Sequence, residues 1–302
     1  LGTHTITATV TDSAHNTSSA TITVTVSDNV LGYQDQSFGL NIENGLHKAT
    51  SEKLEDKEWY VDGIWWATIF NPSKSQYEIH RPDEPTQKWV TTGVAIDDRG
   101  PSRQDCLWDG QKLYVLSYNF SASPPEARVY RYSYFSGGQR WSLDTGFPVS
   151  LSGAGTESQT IAKDSIGRLW TAYQVNNQVW VNRTLGDDRT WGTPFVLPVA
   201  AGVVTTSNDK AGVIAMGDKI GVFWDNQATD VDYFAWHLDT DPPTNSPSVW
   251  HEEIANNVGG VADDHANMKF ASDGRLFVAM KTSRTTPACG SISLCQANGL
   301  KE

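Results

Sequence analysis

The feature that most restricts this fold is a repeat of about fifty residues, the sort of period that builds arrays of like units. Five segments share a turn followed by an aromatic-rich stretch: Val61-Asp62-Gly63-Ile64-Trp65-Trp66-Ala67, Trp108-Asp109-Gly110-Gln111-Lys112-Leu113-Tyr114-Val115, Ser165-Ile166-Gly167-Arg168-Leu169-Trp170, Gly217-Asp218-Lys219-Ile220-Gly221-Val222-Phe223-Trp224, and Ser272-Asp273-Gly274-Arg275-Leu276-Phe277. Their glycines Gly63, Gly110, Gly167, Gly217 and Gly274 step by 47, 57, 50 and 57 residues. A second marker keeps the beat: Trp89, Trp141, Trp191 and Trp250 step by 52, 50 and 59, each after a polar turn. No amphipathic helix lies between the markers, and Asp-Gly pairs supply the positive φ that tight hairpins need. Four short strands per repeat follow, which predicts an all-β chain folded as a β-propeller of four-stranded blades. The spacing places blades at 57–97, 104–151, 159–197 and 211–254, with a partial fifth from Ala266. We expect further blades beyond it. Closure at five would instead use Ser291–Cys295 and Ser37–Ile42 as its third and fourth strands.

The N-terminus reads differently. Thr3-His4-Thr5-Ile6-Thr7-Ala8-Thr9-Val10 and Thr21-Ile22-Thr23-Val24-Thr25-Val26 alternate with period two around a turn at Asp12–Asn16, the pattern of a half-buried hairpin. Two strands alone are marginal in water. Residues 1–29 resemble the last two strands of a bacterial immunoglobulin-like module. Residues 30–52 are then a linker or ring-closing strand, and 53–302 the propeller, incomplete at its C-terminus.

Composition excludes several function classes. The chain has 302 residues with 35 acidic against 23 basic side chains, a net charge of −12. It has no basic stripe for nucleic acid and no apolar run long enough to enter a membrane. Its 12 Trp, 10 Tyr and 10 Phe are too much apolar surface for a disordered chain. Cys106 reads as a buried small hydrophobe, whereas Cys289 and Cys295 suit a local loop in an oxidising compartment. A secreted or cell-surface location is expected, in a chain monomeric within a larger multi-module protein.

Turns such as Gly186-Asp187-Asp188-Arg189-Thr190-Trp191 resemble degenerate Asp-boxes of the sialidase-like (BNR-repeat) propeller superfamily, without the leading Ser and full spacing. The runs Lys219–Gln227, Asp263–Lys269 and Ala279–Ser283 are similar to secreted bacterial propellers carried behind immunoglobulin-like modules. The resemblance implies fold and export. Only Arg103 stands where the arginine triad of sialidases would, so that activity is not implied.

Topology ranks the polar residues. If the glycine turns join strands one and two at one face, strand one begins and strand two ends at the other, around the axis. Arg103, Asp105, Glu157, Gln159, Asp209, Lys210, Asp264, His265, Asn267 and Lys269 begin strands there. Tyr173, Trp224, Asn226 and Lys281 end them. Charges, amides and rings converging on a funnel suit a polysaccharide or glycoprotein glycan. We place His265, Asp264, Glu157 and Tyr173 as the candidate catalytic set. His265 with Asp264 suits an oriented base and Tyr173 a proton donor in a polysaccharide lyase. Alternatively, Asp105, Glu157, Asp209 and Asp264 include the carboxylate pair of a glycoside hydrolase. Arg103, Asp105, Gln159, Asp209, Lys210, Trp224, Asn226, Asn267, Lys269 and Lys281 form the candidate binding set. No cofactor is expected; Asp97-Asp98 and Asp263-Asp264 offer oxygens suited to Ca²⁺, without EF-hand spacing. The seven His residues never take zinc spacing. The alternative to a carbohydrate-directed protein is a non-catalytic adhesion or scaffold propeller.

Overall fold

The computed structural model describes residues 2–26, 53–83, 85–86, 88–155, 157–199, 205–242 and 246–281. The expected strands at Ser37–Ile42 and Ser291–Cys295, and the Cys289–Cys295 pair, lie outside these residues. No helix among them is long and apolar enough to cross a membrane.

The described strands pair within five sheets and one separate hairpin. The hairpin joins β1 (Gly2–Thr11) to β2 (Thr17–Val26). Its register, Ile6 opposite Ile22 and Ala8 opposite Ala20, gathers the apolar residues on one face. Threonines fill the other, where Thr7 meets Thr21 at 3.1 Å and Thr9 meets Ser19 at 2.7 Å. Ile6, Val10, Ile22 and Val24 are all exposed.

The first sheet is β3 (Glu58–Val61), β4 (Ile64–Asn71), β5 (Gln76–Asp83) and β6 (Lys88–Ala95), in sequence order. The second is β7 (Arg103–Trp108), β8 (Lys112–Asn119) and the long β9 (Glu126–Phe135), whose outer edge is shared by β10 (Arg140–Leu143) and β11 (Val149–Leu151). The third is β12 (Gln159–Lys163), β13 (Leu169–Val175), β14 (Gln178–Arg183) and β15 (Phe195–Val196). The fourth is β16 (Ala211–Met216), β17 (Lys219–Asn226), β18 (Val231–Leu238) and β19 (His251–Asn256). The fifth has two described strands, β20 (Ala266–Phe270) and β21 (Leu276–Met280). Gly63, Gly110, Gly167, Gly217 and Gly274, in the turns between first and second strands, all have positive φ.

The core is a series of clusters between successive sheets. Trp59, Trp66 and Tyr77 of the first meet Leu113, Val115 and Trp141 of the second. Tyr114, Leu116 and Val129 of the second meet Ile161 and Leu169 of the third. Trp170, Val179 and Val181 of the third meet Val222, Trp224 and Trp250 of the fourth, whose other face packs Phe223 and Phe234 on Ala266 and Met268 of the fifth. The tryptophan marker is therefore a wedge against the preceding sheet. Trp141 makes edge contacts with Trp59, Trp66 and Trp108 at 5.5–5.6 Å, the geometry aromatic quadrupoles favour. Trp250 takes the same place against Trp170 and His237.

The sheets turn about a hub. Residues 53–57 lead into the first sheet and touch both neighbours: the Asp56 carbonyl accepts from Cys106 N–H at 2.6 Å, and its carboxylate accepts from Asn267 Nδ2 at 3.1 Å. Leu54 packs with Phe223 and Met268. The fifth sheet thus comes round to the start of the first, and a cavity of about 220 Å³ runs between the five sheets' inner edges, with Asp56, Asp105, Thr160, Val213 and Met268 on its wall.

Candidate functional site

Each inner strand begins at one face of the hub, and the charged residues that begin them converge there. Asp264, ahead of β20, is gripped by the Lys53 ammonium and lies 2.6 Å from His265 Nδ1. His265 Nδ1 also stands 2.8 Å from Asp263 Oδ1, and Lys281 Nζ is 3.4 Å from Asp263 Oδ2. On the far side of Lys53 is Glu157, its Oε2 3.9 Å from Lys53 Nζ and 3.6 Å from Lys210 Nζ. Lys210 is held from below by the carbonyls of Asp209 at 3.1 Å and Ser207 at 3.3 Å.

Exposure separates the roles. The side chains of Lys210, Lys53 and Asp264 are 0%, 8% and 9% exposed, whereas that of Glu157 is 39% exposed. Glu157 is the acid through which this buried network reaches solvent. Its backbone is unusual too, with φ of +65°, a left-handed conformation that costs a non-glycine residue roughly 1–2 kcal/mol. Its carbonyl accepts from Arg103 Nη1 at 2.7 Å and lies 2.8 Å from the Tyr118 hydroxyl. Strain held by surrounding bonds in this way gathers at functional positions.

Burial and charge set the protonation pattern. Burial alone would raise Asp264, but the hydrogen bond and charge of Lys53, with His265, hold it below the ordinary carboxyl value. Burial lowers Lys210 against the pull of Glu157 and Asp264. Asp225 goes the other way: burial, with Asp209 alongside, pushes it up to about 8 despite a bond from Lys210 N–H, which is 2.6 Å from its Oδ1.

The structure thus brings together Glu157, Asp264, His265, Lys210 and Lys281, with Arg103 behind Glu157 and Asn267 tied to Asp56. Other candidates are placed elsewhere. Trp224 is fully buried and stacked on Tyr233. Gln159 is equally buried, bonded to Gly155 N–H and Thr171. Asn226 caps the turn that follows β17, and Asp209 closes the loop at Thr206 and Gln227. Asp105 pins Asp56 and Ile161 N–H, and burial holds its carboxyl well above the ordinary value. Lys269 lines the hub cavity below. Tyr173 does not join His265. Tyr118 stands opposite Arg103 and Tyr173 opposite Gln159, but counted from Leu113 and Leu169, which both face the preceding sheet, Tyr173 aligns with Ser117 and not with Tyr118. Tyr118 therefore faces forward to Glu157, and Tyr173 faces back toward the second sheet. Lys53, which grips Asp264, stands just ahead of the first strand, with the other entries at the hub face.

Asp263, Asp264 and His265 offer three ligand atoms within 4.8 Å of one another. Lys53 and Lys281 already answer these carboxylates, so a divalent ion here would compete with two ammonium groups. The mixed N/O donors suit Mn²⁺ or Zn²⁺ better than the Ca²⁺ that the Asp263-Asp264 oxygens alone would suit.

No family model matches the chain, and no curated protein matches it. Its fold is similar to those of CoXyl43, a GH43 β-xylosidase/α-arabinofuranosidase from a compost microbial metagenome (10% identity, 77% of this chain, 88% of that one, TM-score 0.43), and a GH43_1 enzyme from Xanthomonas citri (10%, 77%, 82%, 0.42). NanB sialidase from Streptococcus pneumoniae is a third (11%, 78%, 40%, 0.34). At such values no residue role or activity is carried across.

Proposed function

We propose that the hub mouth is the active site of a carbohydrate-directed propeller, a glycoside hydrolase that cleaves a polysaccharide or glycoprotein glycan. The observation that carries this reading is the single exposed, backbone-strained carboxylate of Glu157, set on a buried network of Lys53, Lys210, Asp264 and His265. Glycosidic cleavage needs two carboxyl groups beside one sugar. Glu157 is the one that touches it, and Asp264, across Lys53, is the second. Elimination is disfavoured, because among the described residues no tyrosine is free beside His265: Tyr173 faces another cleft, and Tyr118 is buried against Glu55. The Asp-box likeness of Gly186–Trp191 is part of this reading; Asp187 there bonds the N–H groups of Arg189 at 2.9 Å and Thr190 at 2.5 Å. Export rests on the sequence resemblance and the Cys289/Cys295 spacing.

The test is a screen of neutral and anionic polysaccharides, reading new reducing ends and new double-bond absorbance side by side. Reducing ends released by the wild type and lost in Glu157→Gln support the reading. Double bonds without hydrolysis, or full activity in Glu157→Gln, would refute it. A second reading, an adhesion module, draws on the exposed apolar face of the β1–β2 hairpin, which fits the tail of an immunoglobulin-like module in a multi-module chain. Glycan binding without turnover would establish it.

A further inference from the structure

A second concavity lies between the second and third sheets, on the same face as the hub mouth. It encloses about 790 Å³, the size range of small-molecule sites, between Pro125, Leu151, Gly153, Tyr173, Trp180 and Pro194. Tyr173 is 1% exposed, yet its hydroxyl has no partner among the described residues. It abuts Gly153, another wall of the cleft, so it opens into the cavity. The crossover segment is built around this ring. A Cβ on Gly153, whose φ is +86°, would collide with the Tyr173 hydroxyl, and one on Gly155 would collide with the Ser158 carbonyl and Tyr173 Cβ. The Trp180 ring forms another part of the wall. The Tyr173 hydroxyl is thus a donor held at the cavity wall and open to a bound molecule, in a cleft of ligand size.

We propose that this cleft is a second carbohydrate site, holding a neutral sugar of the same glycan chain whose neighbouring units reach the hub mouth. The lining is amphipathic as a sugar is: rings and prolines for its faces, and the Tyr173 hydroxyl and Asn176 amide for its hydroxyl groups. Glu126 pairs with Arg128 at 3.4 Å and with Arg99 at 3.2 Å, and Arg99 also pairs with Asp97 at 2.6 Å, so two acids balance two arginines and no net charge is left for an anionic unit. The two sites share one strip of chain. Gly153 walls the cleft and Glu157 serves the mouth, and four residues reach no more than roughly 14 Å, the span of a short oligosaccharide. The assignment of a sugar rests on the proposed function of the hub; the existence of a ligand site does not.

The experiment is affinity electrophoresis of the full chain in gels containing xylan, galactan or polygalacturonate, with Tyr173→Phe and Glu157→Gln run beside the wild type. Near-UV circular dichroism checks that each variant is folded. Loss of one hydrogen bond predicts that Tyr173→Phe is retained roughly three- to tenfold more weakly by a neutral polymer, while Glu157→Gln is still retained. A saturable change in tryptophan fluorescence with the matching oligosaccharide, diminished in Tyr173→Phe, is expected as well. Retention of Tyr173→Phe equal to wild type overturns the cleft and leaves the hub reading intact. Retention with no turnover under any condition overturns the hub reading and leaves the cleft. No retention in any gel, or a fluorescence response to a proline-rich peptide in place of sugars, overturns the sugar assignment.

Discussion

Asp225 offers the sharpest test of the buried network. Its carboxyl is raised to about 8 from an ordinary value of 3.8, so between those limits the folded protein holds a proton that the unfolded chain has released. A raised carboxyl therefore takes stability away as pH climbs. The slope is ~1.4 kcal/mol per pH unit for one proton, or about 3 kcal/mol lost between pH 5 and pH 7. Asparagine resembles the protonated acid: its oxygen can still accept from Lys210 N–H, and the Gln227 amide, now 3.0 Å from Asp225 Oδ2, can turn over to meet the new NH₂. Asp225→Asn should thus match the wild type below the ordinary carboxyl value of 3.8 and gain a further ~3 kcal/mol on it between pH 5 and pH 7, with the gap levelling off above pH 8. Urea unfolding of both proteins at each pH, compared as a difference, cancels the titrating groups that do not interact with Asp225. A gap that stays flat, or a variant that weakens relative to wild type as pH rises, would show that Asp225 is ionised in the folded state and refute the protonation pattern assigned to the mouth.

Further outcomes follow from the same geometry. Asp264→Asn withdraws a carboxylate from nearly buried Lys53 and should cost about 3 kcal/mol, measured by urea unfolding at pH 7; a cost under half of that would mean Lys53 is content without it. Because Glu157 and Asp264 share one ammonium, they sit closer than the roughly 6.5–9.5 Å of inverting hydrolases. Products should keep their anomeric configuration by proton NMR, and inversion would remove Asp264 as the second carboxylate. Trp141→Ala should cost about 3–5 kcal/mol by opening the seam between the first two sheets. Gly153→Ala should destabilise by at least ~1 kcal/mol through its backbone alone and should weaken polysaccharide retention together with Tyr173→Phe.

Much of the fold was legible because two markers, the turn glycine and the wedge tryptophan, recur in phase. The four full blades fall within a few residues of their expected limits, although nothing forecast that β10 and β11 would divide one edge of β9. The site was legible only where the argument was topological. Asp264, His265, Glu157 and Lys210 meet because inner strands all begin at the hub. Trp224, Gln159 and Asn226 were misassigned because being near the hub face does not say which way a side chain points. Tyr118 and Tyr173 show the limit most clearly: one residue apart in the shared alternation, they take opposite faces, although both sit at the hub end of a second strand. Lys53 belongs with the inner-strand entries at the hub face, but neither its type nor its position foretells that it grips Asp264.

Lys53 and Asp264 are separated by 211 residues of sequence. Such a contact closes late in folding, after the entropy of a long loop has been met. A nascent chain that has delivered only the first four blades holds Lys53 and Lys210 without the aspartate that answers them, so the mouth stays unassembled until the fifth emerges. The pair works as a latch: a product clipped between its halves would keep several well-packed sheets and yet lack a closed mouth.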